Sequence, residues 1–128
     1  LNINSNDPYV MTYLGYSWLE RKKNIKEAFI LLEKANKKKE DDPYITDSIG
    51  WAYYLTGNFN KAEKFLRKAV LLMPDDPTVN DHYGDILWKL NRKIEARYFW
   101  KSVLKLEETE AEMKNKIKQK LIIGLEDA

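Results

Sequence analysis

Hydrophobic residues recur at helical spacing in two runs between Asp42-Pro43 and Asp76-Pro77. Thr56-Gly57-Asn58 separates the runs, and glycine readily adopts the left-handed conformation that ends a helix. Each Asp-Pro pair is a helix start, because the carboxylate accepts a backbone N–H and proline needs no N–H in the first turn. The pattern predicts a helix, a tight turn and a second helix. The apolar positions are Ile45, Ile49, Ala52 and Tyr53, then Ala62, Phe65, Leu66, Ala69, Val70 and Met73.

The same arrangement recurs on both sides of this segment. Asp7-Pro8 opens an upstream copy, and Asp76-Pro77 opens a downstream one. Gly15, Gly50 and Gly84 hold equivalent positions, 35 and 34 residues apart, and self-similarity at such a period indicates a repeat protein. The upstream copy has one extra residue in its turn, within residues 20–24, which leaves both of its helices in register. Three copies of one helical hairpin are predicted.

A different pattern follows the third copy. Thr109 and Glu112 have the spacing of a capping box, with Thr109 as N-cap, and Gly124 is a helix stop. This predicts a seventh helix that covers the last apolar face; a membrane-surface or partner-binding helix is the alternative. Its apolar stripe is Met113, Ile117, Leu121 and Leu125, and its polar faces carry Lys114, Lys116, Lys118 and Lys120.

The copies resemble the tetratricopeptide repeat, a helix–turn–helix whose signature is W-x2-L-G-x2-Y, then A-x3-F, then A, then P. Thr46 stands in place of the tryptophan. The matching residues of the central copy are Ile49, Gly50, Tyr53, Ala62, Leu66, Ala69 and Pro74. The sequence of residues 47–54 and 80–88 is also similar to sequences of longer bacterial tetratricopeptide proteins that act as adaptors, some of them associated with the cell envelope.

The resemblance implies an all-α fold, a right-handed α-solenoid of three repeats plus a C-terminal capping helix. The implied segments are the end of a truncated preceding repeat at 1–7, repeats at 8–42, 43–76 and 77–108, and the capping helix at 109–128. The solenoid itself is expected to act as a scaffold or adaptor for other proteins.

Composition limits the other function classes. Charged residues make up 33% of the chain, but the net charge is only +2, so no overall field favours nucleic acid. The basic runs at 21–23 and 37–39 lie near acidic residues and lack interleaved aromatic residues, which favours solvated turns and helix ends. No apolar run reaches the length of a membrane span, so no membrane insertion is expected. The chain has no cysteine, and the compartment stays open between bacterial cytoplasm and cell envelope.

No catalytic constellation is evident. His82 is the only histidine, and it lies beside Asp81 and Asp85. One imidazole with scattered carboxylates is a weak metal site, so a structural or solvent-facing histidine is favoured. No glycine-rich phosphate loop is present. We expect no enzyme activity, no metal site and no cofactor.

Binding is expected on the first helices, which in the resembling family line a concave face that holds peptides. Carried over by register, one face of each first helix gives the candidate peptide-binding residues, and Leu19 and Thr78 lie on the same stripes. Tyrosine and tryptophan dominate binding hot spots, and the aspartates make the face acidic. The candidates are Tyr9, Thr12, Tyr16, Tyr44, Asp47, Trp51, Tyr54, Asp81, Asp85 and Trp88.

The expected partner is therefore a protein or peptide segment with apolar or aromatic anchors and Lys or Arg. Family members that clamp acidic C-termini use basic residues on this face, where this chain offers only Lys89, so that activity is not carried over. Two alternatives stay open. The aromatic residues could pack between repeats or against the terminal helix, or the chain could have a structural role as a homo-oligomer or within a longer repeat protein.

Overall fold

The computed structural model describes residues 6–125, in which seven α-helices and no strands occur. The predicted all-α fold of three helical hairpins and a terminal helix is confirmed. Residues 1–5, which make up most of the predicted remnant at 1–7, and residues 126–128 lie outside the described residues. The helices are α1 (Pro8–Glu20), α2 (Ile25–Lys38), α3 (Pro43–Leu55), α4 (Phe59–Leu72), α5 (Pro77–Lys89), α6 (Lys93–Lys105) and α7 (Ala111–Ile123).

The first helix of each hairpin begins as its Asp-Pro pair predicts. Asp7 accepts a hydrogen bond from the backbone N–H of Tyr9, and proline occupies the first turn of α1, α3 and α5. Asp42 and Asp76 cap α3 and α5 in the same way, at 3.0 Å and 2.9 Å. These bonds satisfy N–H groups that have no partner within the helix.

The helix α7 begins differently, and the predicted capping box is wrong. Its N-cap is Glu110, which makes no side-chain cap bond. Thr109 is buried and donates its hydroxyl to the carbonyl of Val103 at 2.7 Å. That carbonyl lies in the last turn of α6, where carbonyls lack helical partners, so the hydroxyl caps the end of α6 instead of the start of α7. The predicted stop at Gly124 is confirmed, with φ of 72°.

The chain forms two compact units, which we call unit 1 (up to Ala69) and unit 2 (from Val70). In unit 1 the paired helices meet at glycine. A Cβ on Gly15 would lie 2.9 Å from the carbonyl oxygen of Ala28, and one on Gly50 would lie 2.9 Å from the side chain of Leu66. Fully buried residues of this core include Ala28, Leu32, Ala35, Ile45, Ile49, Ala52, Ala62 and Leu66.

Unit 2 is built around Trp100 of α6, which is fully buried. Its ring lies against Gly84 of α5, where a Cβ would approach the indole to 2.5 Å. Ile117 of α7 is also fully buried, whereas Met113, Leu121 and Leu125 of the predicted stripe are half-buried. The other fully buried residues of this core include Ile86, Leu87, Ala96 and Val103.

Candidate functional site

Two tyrosines form an exposed pair at the start of α1 and α3 in unit 1. The ring centroids of Tyr9 and Tyr44 are 6.2 Å apart, and the residues are 41% and 53% exposed. The Tyr9 hydroxyl donates to the carboxylate of Asp42, and the ammonium of Lys39 lies 5.1 Å from the Tyr9 ring centroid. Tyr9 is therefore held in place, and both predicted residues remain accessible to a partner.

Thr12 is the predicted candidate that the structure removes from the surface. It is fully buried, and its hydroxyl donates to the carbonyl of Pro8 at 2.8 Å. A threonine can satisfy its hydroxyl on its own helix in this way, so its burial requires no polar partner from outside. The exposed position predicted for Thr12 is wrong.

Unit 1 has a hollow of about 690 Å³ where α1 and α3 end. We call it the α1–α3 hollow. Half-buried Tyr16 and Trp51, both predicted, face it, and Leu55 beside them is 50% exposed. Trp51 stacks on Tyr54, with ring centroids 4.3 Å apart and planes 11° from parallel. The full lining is Tyr16, Leu19, Glu20, Lys22, Ile25, Trp51, Leu55 and Thr56.

Two acidic side chains act on Tyr16. Burial, as the largest cause, together with the charges of Glu20 and Asp47, raises the pKa of Tyr16 to about 12. Asp47, a predicted site residue, is half-buried. Carboxylates beside an apolar hollow favour a ligand that combines an apolar side chain with a cation.

Five lining residues of the hollow were missed by sequence reasoning: Glu20, Lys22, Ile25, Leu55 and Thr56. Ile25 is 43% exposed at the start of α2, and Leu55 is the last residue of α3. A large apolar residue that remains exposed at a helix end is the signal that could have identified both, because the helix there has no core to face.

In unit 2, the predicted carboxylates of α5 are already bound within the chain. The ammonium of Lys120, on α7, lies 2.7 Å from Asp81 and 2.9 Å from Asp85. The side chains of all three are mostly buried, at 17%, 15% and 8% exposure for Lys120, Asp81 and Asp85. The prediction that Lys120 belongs to a solvated face is wrong, because its register places it beside Ile117 on the face of α7 that meets α5.

Trp100 completes this cluster, and burial shifts the pKa of its Asp85 carboxyl group. Its indole N–H donates to Asp85 at 3.0 Å. Burial and the neighbouring charge of Asp81 raise the pKa of Asp85 to about 6, against the opposing effects of Lys120 and Trp100. Burial alone would disfavour the Lys120 ammonium, but the charges of Asp85 and Asp81 outweigh it and raise the pKa of Lys120.

Trp88, the last predicted residue of α5, is covered rather than open. Gly124, at the end of α7, is so close that a Cβ there would overlap the Trp88 ring. On α6, the Lys93 ammonium lies 4.8 Å and the Arg97 guanidinium 5.1 Å from the ring centroid of Trp88. For Trp88 the structure thus shows the alternative arrangement, packing of an aromatic residue against the terminal helix; Asp81 and Asp85 contact the same helix through Lys120.

A further hollow of 580 Å³ lies on the second-helix side of unit 2. Leu71 and Tyr98 line it and are 75% and 66% exposed, and Lys101 and Lys105 stand at its border. Neither residue lies on the stripes that sequence reasoning selected.

The described residues offer little for chemistry. Across residues 6–125, no group of three or more His, Cys, Asp and Glu side chains is placed to hold a metal ion. Over the same range, none of the helices has the length and apolar character needed to cross a membrane. The half-buried His82 lies on α5 beside the Asp81–Asp85–Lys120 cluster.

Comparisons with known proteins agree with the repeat pattern. The profile of the family described as "Tetratricopeptide repeat" matches residues 47–76. A curated relative, TPR repeat-containing protein PA4667 of Pseudomonas aeruginosa, is 42% identical over 72 residues. That match spans 56% of this chain but only 12% of the relative.

Solved structures of similar fold cover nearly the whole chain. The first TPR of Spaghetti (RPAP3) bound to HSP90 peptide SRMEEVD has a TM-score of 0.75 at 23% identity, covering 95% of this chain and 98% of that one. The Yersinia enterocolitica type III secretion chaperone SycD, in complex with a peptide of the translocator YopD, has a TM-score of 0.77 at 13% identity, covering 90% and 89%. The Arabidopsis OM64 TPR domain has a TM-score of 0.77 at 20% identity, covering 95% and 99%. At these identities the likeness shows the fold, an all-α helical repeat.

Proposed function

Because the chain is a tetratricopeptide repeat protein, we propose that it is a protein–protein interaction module that holds a peptide segment of a partner against α1 and α3. The α1–α3 hollow carries this proposal, since Tyr16 and Trp51 line an accessible space of 690 Å³. Aromatic residues of this kind supply most of the energy of binding hot spots. Support also comes from two proteins of similar fold, which are described as bound to peptides of HSP90 and of YopD.

The chemistry of the hollow favours one kind of partner segment. An apolar or aromatic side chain would fill the space beside Trp51, and a Lys or Arg would lie near Glu20 and Asp47, whose charges act on Tyr16. The peptide in the Spaghetti complex, SRMEEVD, has an acidic end. An acidic end would be repelled by Glu20 and Asp47, so we propose a basic segment here.

The two aromatic positions of α1 give a spacing for the anchors. Tyr9 and Tyr16 are seven residues apart, which is roughly 10 Å along a helix. An extended peptide advances about 3.3 Å per residue, so its anchors would lie about three residues apart. One anchor would occupy the α1–α3 hollow, and the other would contact the Tyr9–Tyr44 pair.

A peptide array screened with the full chain tests this proposal. We expect bound peptides to combine an aromatic or large aliphatic residue with Lys or Arg, and Trp51→Ala to abolish their binding. Tyr13→Ala is the matched control, because Tyr13 is 67% exposed on α1 but does not line the hollow. Glu20→Lys should weaken binding and exposed Glu27→Lys should not. Enrichment of acidic peptides, or binding that survives both Trp51→Ala and Glu20→Lys, would refute the proposal.

Self-association is the second candidate. Leu71, Ile94 and Ile122 are 75%, 88% and 78% exposed, and exposed apolar side chains of this size favour association. Light scattering across a concentration series separates the two candidates. A monomer that binds peptide supports the adaptor, whereas a stable dimer that no longer binds peptide supports assembly.

No chemical step is part of the proposed function. The partner would be held by a surface that is already formed, which lowers the ordering cost of binding.

A further inference from the structure

The surface of α5 that α7 covers carries two neighbouring carboxylates that are mostly buried. Asp81 and Asp85 lie one turn apart on α5, with side chains only 15% and 8% exposed. Like charges at this spacing repel each other, and buried carboxylates without a cation are strongly unfavourable. The surface therefore requires a positive charge, which Lys120 supplies at 2.7 Å and 2.9 Å.

The helix that supplies this charge is attached by few buried side chains. Among the described residues of α7, only Ile117 is buried, while Ile122 and Ile123 are 78% and 63% exposed. Its N-cap makes no side-chain bond. Terminal elements with few buried apolar contacts open at lower free energy than the rest of a fold. Removal of α7 alone would uncover the acidic and aromatic surface of α5.

The contacts of α7 define what this surface recognises. Lys120 meets the two carboxylates, and Ile117, three residues earlier, fills the apolar core. Gly124, four residues after Lys120, lies against Trp88, where any Cβ would overlap the ring. Ile117 and Lys120 share one face of α7, at i and i+3, and Gly124 follows directly after the helix end. The recognised pattern is an apolar residue, then a cation three positions later, then a glycine four positions after that.

We propose that the α5 surface formed by Asp81, Asp85 and Trp88 is a second interaction surface, for a basic helix of a partner protein, and that α7 is its resident occupant. The partner helix would carry the pattern [Ile/Leu]-x-x-[Lys/Arg]-x-x-x-Gly and would bind by displacing α7. This rests on the proposed function only in that the ligand is a protein segment. Its residues lie in unit 2, whereas the α1–α3 hollow lies in unit 1.

Because α7 is part of the same chain, an added peptide must compete with it for the α5 surface. A helix joined by a short linker acts at an effective concentration in the millimolar range, so an added peptide competes poorly until the tethered helix is weakened. Lys120→Met weakens it, because the variant α7 no longer neutralises Asp81 and Asp85. Lys118→Met is the matched control, since Lys118 is exposed on the same helix.

The test titrates a synthetic peptide of residues 109–125 into the full-length chain by calorimetry. We expect the Lys120→Met chain to bind the peptide at least about tenfold more tightly than the natural chain, and the Lys118→Met chain to match the natural one. The same peptide with methionine at position 120 should not bind, and Asp81→Asn with Asp85→Asn in the Lys120→Met chain should abolish binding. Equal affinity for the natural and Lys120→Met chains, or for the two peptides, would overturn the proposal.

A second measurement does not depend on any variant remaining folded. Amide hydrogen exchange of the natural chain should show faster exchange in α7 than in α5 and α6, with the difference independent of protein concentration. Protection of α7 equal to that of α5 would make it a fixed part of the core and would contradict the proposal. A concentration-dependent difference would show exchange of α7 between two copies instead of displacement by a partner, and would also contradict it.

The two proposals fail separately. Trp51→Ala should leave binding of the 109–125 peptide unchanged, because Trp51 belongs to unit 1. Loss of array binding with retained binding of this peptide would reject only the α1–α3 hollow. The reverse result would reject only the α5 surface.

Discussion

Gly84 and Trp100 are in such close contact that a Cβ on the glycine would lie 2.5 Å from the indole Cδ1 and Nε1 atoms. Trp100 is fully buried and its N–H is committed to Asp85, so the ring cannot move aside without loss of that bond. The size and position of Trp100 therefore require a glycine at position 84 for α5 and α6 to pack together.

Gly84→Ala should destabilise the chain by about 2 kcal/mol, the usual range for overpacking a core. Gly50→Ala should cost less, because its Cβ would come no closer than 2.9 Å to Leu66, against 2.5 Å between a Cβ on Gly84 and Trp100. Denaturant unfolding followed by circular dichroism measures both variants. Equal losses for the two would contradict this account of the packing.

The turns of the three hairpins share a left-handed residue at one repeat position. Lys22, Gly57 and Asn91 have φ of 56°, 85° and 64°. A side chain costs about 1–2 kcal/mol in this conformation, somewhat less for asparagine. Lys22→Gly should therefore raise the free energy of unfolding by up to about 1 kcal/mol, and Gly57→Ala should lower it by about 1 kcal/mol. Lys23→Gly, in the same turn but without positive φ, is the control for Lys22→Gly; a gain of equal size there would contradict the explanation.

The stability contributed by Asp85 should depend on pH in an unusual direction. Its pKa is raised from 3.8 to about 6, so between these values the folded chain holds a proton that the unfolded chain has released. Stability from this group is present at low pH and is lost as the pH rises through about 6. Each pKa unit corresponds to about 1.4 kcal/mol, which gives a loss of about 2–3 kcal/mol.

The measurement compares the natural chain with Asp85→Asn at about pH 4 and about pH 7, so that the contributions of other titrating groups cancel. Asp81 and Lys120 face Asp85 in both proteins. The stability of the natural chain relative to the variant should fall by about 2–3 kcal/mol over this range. A constant difference would show that Asp85 titrates near its ordinary pKa.

Removal of Lys120 should destabilise the region of α7 at neutral pH. Lys120→Met leaves Asp81 and Asp85 without their cation, and breaking a mostly buried pair in this way costs about 3 kcal/mol. Lys116→Met should cost less than about 0.5 kcal/mol, since Lys116 is exposed. Denaturant unfolding measures both; equal effects would show that the cluster contributes no more than a surface charge.

Local signals predicted the fold of the described residues well. The Asp-Pro pairs gave the starts of α1, α3 and α5, because an N-cap and a first-turn proline act within four residues. The recurrence of Gly15, Gly50 and Gly84 predicted the repeat, and in the structure each of these glycines lies where two paired helices approach each other closely. The repeat thus follows from interactions between residues that are close together in the sequence.

The candidate site was harder to predict, because its main contacts join residues that are far apart in the sequence. Lys120 lies 35 residues beyond Asp85, and nothing in the sequence around either residue identifies the other. A lysine one turn from Ile117 on an otherwise apolar face was the available signal. Thr12 and Thr109 were misjudged for a related reason: a hydroxyl can satisfy a nearby carbonyl, so a polar residue at such a position is compatible with burial.

The cover over Trp88 also gives the protein a built-in optical probe. The chain has four tryptophans, and conversion of Trp18 and Trp51 to phenylalanine would leave Trp88 and the fully buried Trp100 as the sources of indole emission. While Gly124 lies against the Trp88 ring, that emission should be blue-shifted and poorly quenched by iodide. Dissociation of α7 from α5 would shift the emission maximum to longer wavelength. The position of the helix could therefore be followed in real time without an attached dye.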